Sequence, residues 1–260
     1  MKRHRTLGRA LVAALAFVAA VLAIGAPAAA KEPRVPPGLS APGRVAVALL
    51  GPGVDYRRPE LVGNFARDGE GDLIGWDFTD NDTAPFAEAG PGTAAALTLA
   101  TLAPVASLVI VKERPGDAQA FGHMMSFVGQ TPVRIVVWLD ADPNRPDWPI
   151  LAEAIARFGD RLFIIPAGTG NQDLDRSAAF QGVRGAANVI VATSDAATAN
   201  RGTATVDVTV ARAAGDATLV VAARAARALA EAPTQSMAVL KKAIVLNGRL
   251  TVDPANSGKQ

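Results

Sequence analysis

The chain has 260 residues, with 26 Lys and Arg against 24 Asp and Glu, and no cysteine. Lack of cysteine excludes disulfides and lipid attachment through that side chain. Half of its residues are hydrophobic, enough for a full core at this length.

The first 30 residues read as an address rather than as fold. Lys2, Arg3, Arg5 and Arg9 precede an apolar run over 11–24. Ala28, Ala29 and Ala30 follow, then Lys31. That is the layout of a cleaved secretory signal peptide. An uncleaved anchor is the alternative, because the apolar run is almost long enough to span a bilayer. The small-residue end favours cleavage. Removing residues 1–30 takes away four of the 26 basic side chains and no acidic one, so the remaining 230 residues carry 22 minus 24, or −2. No basic patch remains to argue for nucleic acid. No second long apolar run exists, so no membrane contact is expected after cleavage. Export without disulfides points to a bacterial periplasm or exterior.

Residues 31–43 are rich in proline and charge and are expected to form an exposed leader. Strand-like and helix-like runs then alternate. RVAVALL (44–50) is an apolar strand, LIGWDF (73–78) a shorter one, and GTAAALTLATLA (92–103) a helix. SLVIVK (107–112) is a strand, and DAQAFGHMMSFVG (117–129) a helix. VRIVVWL (133–139) is a strand, and WPILAEAIARFG (148–159) a helix. RLFIIPA (161–167), NVIVAT (188–193) and ATVDVTVA (204–211) are strands. Residues 216–232 and 236–246 are helices.

Unbroken Val, Ile and Leu runs imply strands buried on both faces, and alternation with helices implies parallel crossovers. The expectation is one α/β domain over 44–252, a three-layer fold with helices on both faces of a mainly parallel sheet. A disordered tail is expected over 253–260. Sites in such sheets form beyond the carboxyl ends of the strands. Residues 51–55, the turn after Leu139, and AGTGN (167–171) lie there.

An ordered set of landmarks then stands out: VAVALLGPGVDYRRPEL, GWDFTDND, PGTAAA, LAPVASLVIVK, LFIIPAGTGNQDLD and NVIVATSDAA. In order and spacing the chain resembles the subtilisin-like serine peptidases over roughly 44–247. That resemblance implies a subtilisin-like fold and a Ser-His-Asp triad. At the matching positions the reactive groups are replaced. The aspartate after the first strand corresponds to Gly51, in Gly51-Pro52-Gly53. The histidine that starts a helix corresponds to Pro91, with Ala94 at the second histidine of that motif. The oxyanion asparagine corresponds to Thr169. The serine corresponds to Gly215, and no serine occurs between Ser194 and Ser236 to replace it.

A serine hydroxyl needs an imidazole to take its proton and a carboxylate to fix that imidazole. Gly51, Pro91 and Gly215 supply none of these. Thr169 has a hydroxyl, but a donor without a nucleophile transfers no acyl group. The substitutions suit the fold, since proline starts helices well and glycine accepts sharp turns. Asp216 suits the positive end of the helix that follows it.

Where the family carries small residues lining the peptide groove, this chain has Trp138 and Asp140, which are expected to narrow that groove. Ordinary core packing is the alternative for Trp138. One histidine survives signal cleavage, His123, three residues before Ser126 on a helix. The pair is either an alternative dyad or a packing histidine beside Met124 and Met125. Glu88 lies three residues before Pro91, as in acid-active relatives, but those still need the serine. Asp77, Asp80, Asn81 and Asp82 form an acidic turn that could hold calcium, and a solvated turn is the favoured reading. AGTGN lacks the lysine and glycine spacing of a phosphate loop. The expectation is therefore an exported pseudopeptidase without cofactor or metal, which binds a protein or peptide of unknown identity. A serine-type hydrolase with a relocated site is the alternative.

Overall fold

The computed structural model describes Pro33, residues 42–211 and 216–246, and the backbone of 249–250. The segment 1–30 expected to be a signal peptide, most of the expected 31–43 leader, Gly215 and the 253–260 stretch expected to be a disordered tail lie outside the described residues. Contacts divide the chain into residues 1–33 and 34–260, and every element belongs to the second unit.

The strands are β1 (Val45–Gly51), β2 (Gly75–Asp77), β3 (Ala106–Lys112), β4 (Ile135–Trp138), β5 (Leu162–Pro166), β6 (Val189–Ser194), β7 (Val208–Val210) and β8 (Arg249–Leu250). The helices are α1 (Pro91–Leu102), α2 (Ala118–Gln130), α3 (Trp148–Arg157), α4 (Ala178–Gln181), α5 (Ala217–Glu231) and α6 (Met237–Leu246). The eight strands among the described residues join one parallel sheet in the order β2-β3-β1-β4-β5-β6-β7-β8. The α/β architecture inferred from alternating runs is the one present. No described helix is long and apolar enough to cross a membrane.

Every residue of β1 is buried, as a strand covered on both faces requires. Alternate side chains feed two cores. Val47, Leu49, Ile110, Val137 and Ile164 pack under α1, α5 and α6. Leu50, Val109, Val136, Trp138 and Phe163 pack under α2, α3 and α4. Caps fix the helix starts. The Asp117 carboxylate accepts from Ala120 N, and the Asp216 carboxylate accepts from Thr218 N and Leu219 N.

One strand is shorter than its pattern. The run 204–211 predicts eight residues, but β7 has three. Asp207 explains this, because its Oδ2 accepts from Val191 N at 2.9 Å and takes a strand partner's place. Helix α4 was not legible, because four residues carry too little periodicity.

β1 lies between β3 and β4 in the sheet. After β1 the chain lays β2 at the sheet edge, returns to place β3 between them, and then crosses to build β4 to β8 on the other side. The strand order therefore reverses at β1, and a crevice opens beyond the carboxyl ends of β1 and β4.

Candidate functional site

Gly51 is the last residue of β1 and stands at this crevice. Its carbonyl accepts from Glu113 N at 2.8 Å. Gly53, two residues on, has φ +91, where a side chain is strained, and an added β-carbon would lie 2.9 Å from Pro85 O. The first turn of α1 packs against this loop. A β-carbon on Gly92 would collide with the Gly53 carbonyl, so only glycine permits the approach. The buried Thr93 hydroxyl oxygen accepts from Asp55 N at 2.9 Å and ties helix to loop. The structure thus brings the Gly51 turn and the Pro91 helix start together. Pro91 and Ala94 are exposed there. None of Gly51, Pro52, Gly53, Pro91, Gly92, Thr93 or Ala94 can exchange a proton near neutral pH.

The space beside Gly51 is filled. Leu139 N donates to Leu50 O at 2.9 Å, extending the β4 pairing by one residue. This turns the Leu139 side chain onto Gly51. A β-carbon on Gly51 would lie 3.0 Å from Leu139 Cδ1 and 3.3 Å from its Cβ. A β-carbon at position 51 would therefore press on the Leu139 side chain.

Thr169 is exposed after β5, between Gly168 (φ +76) and Gly170 (φ +124). Asn200 shapes this loop from beneath, donating to Ala167 O and accepting from Gln172 N, both at 2.9 Å. Asn171, also in this loop at φ +55, is exposed as well. Gly215 lies outside the described residues.

His123 and Ser126 are exposed on α2. Ser126 Oγ donates back to Gly122 O at 3.0 Å within its own helix, so it is not held by the imidazole. Trp138 is 2 % exposed and packs between Phe121 and Trp148, at centroid distances of 5.3 and 5.4 Å. It therefore belongs to the core beneath α2 and α3, which is the packing alternative, and does not wall an open groove. Asp140 is exposed, and its carbonyl accepts from Arg145 Nη1 at 3.2 Å. Glu88 is exposed ahead of α1.

The acidic turn holds an internal cation. Lys112 Nζ lies 2.6 Å from Asp77 Oδ2 and 3.4 Å from Asp80 Oδ2. The ammonium takes the position a metal ion would seek. Among the described residues no cluster of three metal-ligating side chains occurs.

Sequence reasoning missed a buried charged group beside the crevice. Arg145 forks onto Glu113, with Nη1 to Oε1 at 3.1 Å and Nη2 to Oε2 at 2.9 Å. Its Nε and Nη2 also donate to Asp147 Oδ2 at 3.0 and 2.5 Å. The guanidinium lies 4.7 Å from the Trp138 ring centroid, and Trp138 Nε1 donates to Glu113 Oε2 at 3.2 Å. Burial pushes the Glu113 carboxyl up, against the pull of Arg145 and Trp138. The group pins the 140–147 loop to the end of β3. Its sequence signal is only a glutamate directly after one strand and an arginine in the loop after its neighbour but one.

No family model matches the chain, and no curated protein matches it in sequence. Solved structures do match. The chain is similar to the subtilase cytotoxin SubAB, with TM-score 0.61 and 14% identity, over 82% of this chain and 83% of that one. It is similar to a lanthipeptide protease, with TM-score 0.58 and 16% identity, over 76% and 78%. It is also similar to the nisin leader peptidase NisP from Lactococcus lactis, with TM-score 0.58 and 10% identity, over 81% and 89%. The fold is therefore subtilisin-like, as the ordered sequence landmarks imply.

Proposed function

We propose that this chain is an exported, catalytically inactive protein of subtilisin-like fold that acts by binding a protein or peptide. The observation that carries the reading is that Gly51 ends β1 and Pro91 begins α1, where the resemblance places the acid and the base, and neither side chain can ionise. Pro91 and Thr169 add no base and no nucleophile. The leader sequence over 1–30 supports export. His123 and Ser126 give no comparable support to a relocated hydrolase site, because the Ser126 hydroxyl is committed to Gly122 O.

The test is labelling of the exported protein with a fluorophosphonate that reacts with activated serines. No labelling above the heat-denatured control is expected. Labelling that denaturation abolishes overturns the inactive reading. Binding is tested by cross-linking in the native host, where one stoichiometric partner is expected.

A further inference from the structure

We propose that the cavity at the amino-terminal end of the sheet binds a small organic carboxylate with an apolar body. This end is opposite the Gly51 crevice, and the inference does not depend on the inactive-peptidase reading. The cavity measures about 440 Å³, within the usual range for small-molecule sites. Val45 and Ala46 of β1, Ile74, Pro132 and Leu229 give it apolar walls. Among the described residues, no acidic side chain lines it.

Three arginines do. Arg67 lines one side and donates to Gly71 O at 3.0 Å. Arg44 Nη1 donates to Gly63 O at 2.6 Å and Asn64 Oδ1 at 3.3 Å. Arg134 donates from Nε to Asp160 O at 3.2 Å and from Nη1 to Pro233 O at 3.1 Å. Among the described residues, Arg44 and Arg134 thus meet only neutral oxygens. Each guanidinium has five N–H donors in a planar fork, so both keep donors for a ligand. A carboxylate matches that fork with two coplanar oxygens.

Ser107 supplies an independent sign. It lines the same cavity and is 5 % exposed. Its Oγ is buried without a hydrogen-bond partner. An orphan hydroxyl in an apolar setting is costly and calls for an explanation. A ligand oxygen entering the cavity provides one, with Arg44 and Arg134 neutralising the charge it brings.

The experiment titrates the full exported chain with decanoate, 1-decanol and inorganic phosphate in separate calorimetric runs at low salt. Decanoate is expected to saturate one site per chain. Decanol and phosphate should each bind at least about tenfold more weakly, one lacking the charge and the other the apolar body. Arg134→Gln and Arg44→Gln should each weaken decanoate about tenfold and leave decanol unchanged. Amide and side-chain shifts on the wild-type protein provide a second readout that needs no variant. They should move at Ser107 and Arg134 and stay fixed at Gly51 to Gly53. Decanol or phosphate binding as tightly as decanoate overturns the proposal. So do shifts confined to other surfaces, or the absence of decanoate binding.

Discussion

Leu139 Cδ1 lies 3.0 Å from the point where a β-carbon on Gly51 would sit. The carboxyl ends of two adjacent parallel strands thus pack tightly against each other. Glycine at 51 and leucine at 139 are matched to each other, so the two positions should be energetically coupled. Gly51→Asp is expected to destabilise the fold by about 1–3 kcal/mol, from overpacking and from the buried carboxylate. Leu139→Ala alone leaves a cavity and also destabilises. In the double variant the costs should sum to less than the two singles, because the smaller side chain makes room for the new one. Urea denaturation of the four proteins measures this coupling. Strict additivity shows that the contact does not matter. No esterase or peptidase activity is expected in any of the four.

Much of this was legible in the chain. The absence of reactive groups at Gly51 and Pro91 follows from where those residues fall after a strand and before a helix. The packing of Leu139 against Gly51 was not legible, because a leucine ending an apolar strand reads as ordinary core. Neighbours in a strand face opposite sides. Which of 138 and 139 faces Gly51 depends on the register of β4 against β1, where Leu50 is opposite Trp138. Register is a property of pairing, not of either strand alone. The Glu113–Arg145–Asp147 group was hidden for a similar reason. Glu113 lies 32 residues before Arg145, and charged residues in loops read as solvated until the sheet order brings them together.

Two carboxyls should give opposite pH responses. Burial raises the Glu113 carboxyl. Between its ordinary value and the raised one, the folded state holds a proton that the unfolded state has lost. Stability from this group therefore falls as pH rises through that window. The Arg57 guanidinium beside Asp55, 2.8 Å away, holds the Asp55 carboxyl below its ordinary value. Its contribution is present above the ordinary value and is lost as pH falls through the depressed one. Glu113→Gln should flatten the first slope and leave the second. Asp55→Asn should do the reverse. Denaturation midpoints across the acid range read both, and a variant that flattens the other slope refutes the assignment.

Lys112 should be structural in a way that no added ion reproduces in the native protein. Asp77 is fully buried, with Oδ1 accepting from Thr79 N at 2.6 Å and Asp80 N at 3.0 Å, and Oδ2 facing Lys112 Nζ. Lys112→Met removes the cation and leaves a buried carboxylate uncompensated. The expected cost is on the order of 2–4 kcal/mol, at the lower side for buried pairs because the lysine keeps some access to water. Calcium or a chelator should leave the wild-type melting temperature unchanged, since the ammonium already occupies the turn. A clear calcium-dependent rise in the wild type would disprove this.

Asn200 is expected to be the residue that sets the shape of the loop carrying Thr169. It is 1 % exposed and uses both ends of its amide, donating to Ala167 O and accepting from Gln172 N. Its own N–H donates to Gly168 O at 3.1 Å, and Gly170 N donates to Thr198 O at 2.8 Å. The two glycines with positive φ leave the loop little intrinsic preference, so these bonds determine its path. Asn200→Leu keeps the volume and leaves the buried Ala167 carbonyl and the half-buried Gln172 amide unpaired, at about 2–3 kcal/mol. Asn200→Asp still accepts from Gln172 N but cannot donate to Ala167 O while ionised, and it buries a charge. A protonated carboxyl can donate, so the aspartate variant should recover stability as pH falls, whereas the leucine variant should not. Hydrogen exchange at the Gly170 amide should accelerate in both at neutral pH. Equal pH profiles for the two variants would show that volume, not the amide's two bonds, is what the loop requires.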